Sequence, residues 1–190
     1  MSLHVHAFTH GATPAQMEDA DERRSCDCGQ REPREGRVHV VMAIDPGSTQ
    51  SAWIVLKDGV PRRFGIEANE DVLRLLGRAH ESVHAVVIET IESYGMAVGR
   101  DIFETVWWAG RFYEAAQPLP VHRLPRRDVK LYLCQSSRAK DANVRQALLD
   151  RFGGSKAKGT KAAPGPLYGV SKDVWAALAV AVTWADREAT

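Results

Sequence analysis

Residues 38–66 hold three apolar runs in quick succession, "VHVVMAI", "SAWIVLK" and "VPRRFGI", and the turns between them leave little choice of topology. Runs this short and rich in β-branched residues read as strands, and Asp58-Gly59 between the second and third is a strong hairpin signal. Asp-Pro-Gly-Ser at 45–48 is equally good turn chemistry between the first two. Three consecutive antiparallel strands are therefore predicted, with Asp45 at the end of the first.

Beyond residue 66 the period changes. Asn69 can cap a helix carrying Val72, Leu73, Leu75 and Leu76, and "SVHAVVIE" then reads as a buried strand ending at Glu89. "DIFETVWWAGRFYEAA" opens on Asp101 and places Ile102, Phe103, Val106, Gly110 and Tyr113 on one helical stripe, and "LPVHRL" makes a fifth strand. The remainder reads as helix, including "LYLCQSSRAKDANVRQALLDRF", apart from the Gly-, Pro- and Lys-rich loop at 153–169. Ser171 can cap the last helix, "KDVWAALAVAVTWAD". The order β-β-β-α-β-α-β-α-α is that of an α/β domain: a five-stranded mixed sheet, three antiparallel strands first, flanked by helices.

This domain is expected to span residues 38–190. The first 37 residues, rich in charge, Gly and Pro, read as a flexible N-terminal arm. Cys26 and Cys28 in that arm lack the usual zinc spacing and a second half-site. The chain's three cysteines do not form a disulfide framework, no apolar run approaches the ~20 residues of a membrane span, and no secretory segment is evident. A cytoplasmic protein is expected.

The net charge of +1 conceals an asymmetry. Residues 122–161 carry eleven Lys and Arg against three acids, a local balance of +8 that suits a polyanion or, more plainly, solvated helix faces.

An acid at the end of a buried strand sits at the rim of the sheet, where ligands of α/β folds gather. Asp45 and Glu89 both occupy such ends, and if the fourth strand lies parallel beside the first, their side chains converge. Like-charge repulsion then favours a bound hard cation. Asp173, in the first turn of the last helix, can reach the same place, and three carboxylates suit Mg²⁺. Each also has a plain role: Asp45 opens a turn, and Asp173 is a favourable first-turn charge. Glu89 needs a partner or an aqueous rim, and Glu92, past the strand end, is its rival.

The element order, with acids on strand one, strand four and the last helix, resembles the ribonuclease H-like nuclease superfamily. Within it, "AIDPGSTQSAWIVL", "VIE" and "SKDVWAALAVAVTWAD" are similar to the RuvC-type Holliday-junction resolvases, particularly the phage-encoded branch. The resemblance covers roughly residues 38–187. It implies that Asp45, Glu89 and Asp173 are catalytic and hold two Mg²⁺ ions, with Mn²⁺ able to substitute. One ion would activate a water and the other stabilise the leaving 3′ oxygen, leaving a 5′ phosphate. One departure stands out. The family often has a second acid three residues along the last helix, where this chain has Ala176. Either three acids suffice, or Asp141 or Glu92 substitutes, or activity is impaired.

The same resemblance gives the basic segment a use. Arg126, Arg127, Lys130, Arg138, Lys140 and Arg145 would neutralise phosphates, Lys156, Lys158 and Lys161 sit in a loop suited to closing over a strand, and Ser48 would donate to a phosphate oxygen or merely satisfy its turn. Gly47 leaves room for that phosphate. Trp107 and Trp108 are adjacent on a helix and diverge by about 100°, so one is free for a homodimer face or for base stacking, and Tyr94 is a further stacking candidate. The expected partner is branched DNA, specifically a four-way junction, with no membrane. Two other readings compete: a noncatalytic DNA-binding relative, and an actin-like ATP-binding protein, which needs a second domain that this core cannot readily supply.

Overall fold

The structure, a computed structural model, describes residues 39–93, 95 and 97–189. The expected N-terminal arm and Tyr94 lie outside the described residues.

Five strands form one sheet in the order β3-β2-β1-β4-β5. β1 (Val40–Asp45), β2 (Gln50–Lys57) and β3 (Val60–Ala68) are antiparallel neighbours, while β4 (Ala85–Thr90) lies parallel to β1 and β5 (Val121–Pro125) parallel to β4. The predicted strand set and its pairing are thus present, with the β2–β3 turn at Asp58 and Gly59 taking the two positive φ angles that a type I′ hairpin requires, 52° and 74°. Helices α1 (Asn69–Ala79) and α2 (Arg100–Ala115) cover one face. On the other lie α3 (Arg126–Cys134), α4 (Asp141–Arg151) and α5 (Val174–Glu188).

Strand alternation divides the core. Val41, Ala43, Ala85 and Val87 face α5, whose run from Val174 to Trp184 is buried apart from Ala176; Met42, Ile44, Val86 and Ile88 face α1 and α2. The same alternation turns Asp45 and Glu89, each two residues beyond an α5-facing residue, toward the start of α5.

Several local expectations are corrected. The single helix expected over 131–152 is two, broken where Gln135 adopts a left-handed conformation at φ 54°, and Arg126, Arg127 and Lys130 belong to the first turns of α3 rather than preceding a helix. The stripe assigned to α2 faces solvent: Phe103 is 64% exposed and Val106 and Tyr113 are exposed, while Thr105, Trp108 and Phe112 are buried. The hydrophobic set on this helix is wider than one stripe, so spacing alone selected the wrong part of it.

Asn69 does not cap α1 with its side chain, and Ser171 does not cap α5, where the N-cap position is Asp173. The loop at 153–169 has a defined fold of its own. It contains a short 3₁₀ turn, Gly154–Ala157, buries Ala157 and Leu167, and bonds the Leu167 amide to the Ala157 carbonyl at 2.8 Å. A Cβ at Gly165 would lie 2.3 Å from that same carbonyl oxygen, so the close backbone approach requires glycine.

Candidate active site

β1 and β4 pair in register through Ile44 and Ile88, which sets the next residues, Asp45 and Glu89, side by side at the carboxyl rim. Their carboxyl groups come within hydrogen-bonding reach of each other. Burial, then the bond to Glu89 and its charge, push the Asp45 carboxyl up to about 9, with Asp173 adding to the effect and Arg126 opposing it. Two adjacent acids at this rim, with the Asp45 carboxyl pushed up in this way, constitute a site short of positive charge. That, and a donor set made of oxygen alone, fits a hard divalent cation.

Asp45 is held by the turn that follows it. The buried Ser51 hydroxyl accepts from the Gly47 amide at 3.1 Å and donates to Asn69 Oδ1 at 2.6 Å, and Asn69 Nδ2 donates to the Gly47 carbonyl at 3.0 Å. Gly47 itself is dictated by turn closure, since a Cβ would sit 2.3 Å from the Gln50 carbonyl oxygen. The room it leaves is needed by the chain's own backbone, not only by a ligand.

Glu89 is 6% exposed and accepts from Arg126 Nη1 at 3.1 Å through each of its two oxygens. Arg126 Nη2 also reaches Asp141 Oδ1 at 2.8 Å, and Lys130 Nζ lies 3.6 Å from the same oxygen. Against its partial burial, the charges of Glu89 and Asp141 hold the Arg126 guanidinium above its ordinary range. Asp141, conversely, is held below the usual carboxylate range by Arg126 and Lys130, which outweigh its slight burial.

These groups line a cleft of about 110 Å³ together with Lys172, Asp173, Trp175 and Ala176. The predicted acids Asp45, Glu89 and Asp173 therefore line one cleft, and Asp141 joins through Arg126. Asp173 is exposed at the helix start, immediately after Lys172, which takes an uncommon left-handed φ of 47°. Among the described residues, no three His, Cys, Asp or Glu side chains gather closely enough to form a metal cluster.

Arg126 and Lys130 also line a second, larger groove of about 690 Å³ with Arg127, Arg138, Ser137 and Glu92. Glu92 belongs to that groove and not to the acidic cleft, so Glu89 is the acid placed beside Asp45. Arg145 and Lys158 both lie against the Trp175 ring, 5.2 and 5.6 Å from its centre. Lys140, Lys156 and Lys161 are exposed away from the cleft lining, and Ser48 sits half-buried in the turn after Asp45.

Sequence reasoning missed Ser51, Asn69, Lys172 and Trp175. Asn69 carried a misleading signal, being a good cap residue at the right distance; Lys172 and Trp175 carried one, their position beside Asp173.

No protein-family model matches the chain, and no curated protein is similar to it at a significant level. Solved structures are similar. The chain superimposes on the Thermus thermophilus RuvC structure with a TM-score of 0.57 at 20% identity, over 79% of this chain and 97% of that one. It matches T. thermophilus RuvC in complex with Holliday junction substrate with a TM-score of 0.58 at 23% identity, over 80% and 95%. The five-stranded mixed sheet and its flanking helices are thus the ribonuclease H-like fold of RuvC.

Proposed function

We propose that the chain is a divalent-cation-dependent, structure-specific endonuclease of the phage-like RuvC type that hydrolyses phosphodiesters in branched DNA and resolves Holliday junctions. One observation carries this reading: on a RuvC fold, Asp45, Glu89 and Asp173 open into one cleft whose wall, Arg126 and Lys130, is shared with a groove lined by Arg127 and Arg138. An acidic cleft alone repels DNA. Placed against a strip of cations, it receives one phosphodiester whose neighbours are neutralised.

Asp45 and Glu89 would hold the cation, Mg²⁺ by the oxygen-only donor set, with Mn²⁺ able to substitute, and Asp173 would contribute from the helix start. When bound, such an ion supplies an activated water and charge stabilisation at the phosphate. The protein's own groups do the rest. Arg126 orients Glu89, the Ser51–Asn69 pair fixes the turn that carries Asp45, and Arg127, Lys130, Arg138, Arg145 and Lys158 position the backbone without reading sequence.

A four-way junction has two-fold symmetry, so a resolvase of this kind works as a homodimer. The exposed Phe103, Val106, Trp107 and Tyr113 on α2 form an apolar stripe, the surface suited to a second copy. No helix among the described residues is long and apolar enough to cross a membrane, and the proposed setting is the cytoplasm of a bacterial or phage-infected cell.

A noncatalytic DNA-binding role is the second reading, favoured by one feature, the methyl group of Ala176 in the cleft. Labelled four-way junctions and linear duplexes of the same sequence, incubated with the protein or Asp45→Asn in Mg²⁺ or EDTA, distinguish the two. Paired nicks in the junction, lost in the variant and in EDTA, are expected. Binding without cutting under every condition would reject the nuclease.

A further inference from the structure

We infer that the cleft takes one divalent cation, not two, and that the Arg126 guanidinium supplies the second positive charge. The inference rests on the nuclease reading and departs from the two-ion arrangement that the resemblance implies.

The donor count comes first. Asp45 and Glu89 are adjacent and Asp173 lines the same cleft from the exposed helix start, but among the described residues no three His, Cys, Asp or Glu side chains gather closely enough to form a metal cluster. Ala176 lines the cleft and offers no oxygen. Asp45 and Glu89, with Asp173 reaching in from the helix start, waters and a substrate phosphate, are a sufficient shell for one Mg²⁺; with no acid at position 176 they are a meagre one for a pair.

Arg126 then occupies the other side of Glu89. Its Nη1 lies 3.1 Å from both carboxylate oxygens, and Asp141 anchors the opposite edge of the guanidinium at 2.8 Å. This is not a wandering surface side chain: β4–β5 pairing sets Glu89 opposite Leu124, and α3 begins two residues later at Arg126. A guanidinium does not deprotonate in proteins, so its charge is a permanent competitor for a second ion.

The charges agree. Four carboxylates, Asp45, Glu89, Asp141 and Asp173, share the cleft with three cations, Arg126, Lys130 and Lys172. All ionised, they leave a net −1; one divalent ion makes it +1, matched to one phosphodiester, and a second makes it +3.

Titrating the full-length wild-type chain with Mn²⁺ at pH 8, and following free Mn²⁺ by electron paramagnetic resonance, counts the ions directly. One per chain is expected, and two in the Arg126→Gln/Ala176→Asp double variant, which removes the guanidinium and restores an acid. Two on the wild-type chain would overturn the inference and leave the nuclease reading intact, whereas none would overturn both. One ion on the folded double variant would remove Arg126 from the account. Should that variant fail to fold, the wild-type count still decides.

Discussion

Asn69, the first residue of α1, donates to the carbonyl oxygen of Gly47 at 3.0 Å, tying the turn after Asp45 to an element twenty-two residues away. Asn69 is fully buried, and its Oδ1 accepts the Ser51 hydroxyl, which in turn accepts the Gly47 amide. The pair thus satisfies both the amide and the carbonyl of Gly47. Asn69→Ala leaves the part-buried Gly47 carbonyl without its donor and the buried Ser51 hydroxyl without its acceptor, at a cost of about 1–3 kcal/mol. Chemical denaturation should register that loss. Cleavage should fall by more than stability explains, because the freed turn carries Asp45; a variant of normal activity would separate the turn from the site.

The raised Asp45 carboxyl gives the cation-free protein a pH signature. Asp45 titrates near 3.8 when unfolded and at about 9 when folded, so between these values the native state holds a proton that the unfolded chain has lost. Stability from this group is therefore fully present below pH 4, declines through neutrality and is gone above 9. Scanning calorimetry in EDTA should show Tm falling from pH 6 to 9 in the wild type and a flatter profile in Asp45→Asn. Mg²⁺ should reduce the wild-type slope by taking the proton's place. Parallel curves for the two proteins would mean that Asp45 is ionised in the native state.

The division between what the chain discloses and what it conceals follows physical lines. Asp45 and Glu89 were legible because a buried strand that ends in an acid is costly without a purpose, and parallel pairing leaves only one neighbour. Asp173 was legible from its place at a helix start. What stayed hidden depends on register between distant segments. Nothing near Arg126 marks it as the partner of Glu89 rather than of a phosphate, and Asn69 looks like an ordinary cap until the β1–β2 turn is seen beside it. On α2 the choice of buried face depends on how the helix rolls against β4. The residues there, aromatic on nearly every side, do not specify that roll.

That roll leaves a surface to account for. Trp107 is 56% exposed while its neighbour Trp108 is 6% exposed, and Arg111 packs over both rings, at 4.9 and 4.3 Å. With Phe103 and Val106 this makes an apolar face capped by a cation. Trp107→Glu places a charge at its centre without touching the core. Sedimentation velocity should show a wild-type dimer and a monomeric variant, with Tm changed little at low concentration because the substituted side chain is solvent-exposed in the single chain. A dimer unaffected by Trp107→Glu would move the interface elsewhere.

Arg145 and Lys158 come from different segments, α4 and the 153–169 loop, yet converge on the ring of Trp175, which lines the acidic cleft. Two cations held together beside a carboxylate site, with no carboxylate partner of their own among the described residues, are placed for phosphates flanking the scissile one. The folded loop matters here, since Lys158 is carried on backbone pinned by the buried Ala157 and Leu167 and loses little freedom on binding. Contacts of this kind make affinity salt-dependent and sequence-independent. Each of Arg145→Ala and Lys158→Ala should weaken junction binding uniformly across sequences and lower the slope of log affinity against log salt by about one. Lys161→Ala, whose side chain is exposed beyond this cluster, should leave the slope near the wild-type value. Fluorescence anisotropy between 50 and 200 mM salt would measure all three, in Ca²⁺ to suppress cutting. Equal effects from the three lysine and arginine variants would reduce the Trp175 pair to general positive charge; a loss confined to Arg145 and Lys158 would place the DNA backbone across the start of α5, directly over Asp173.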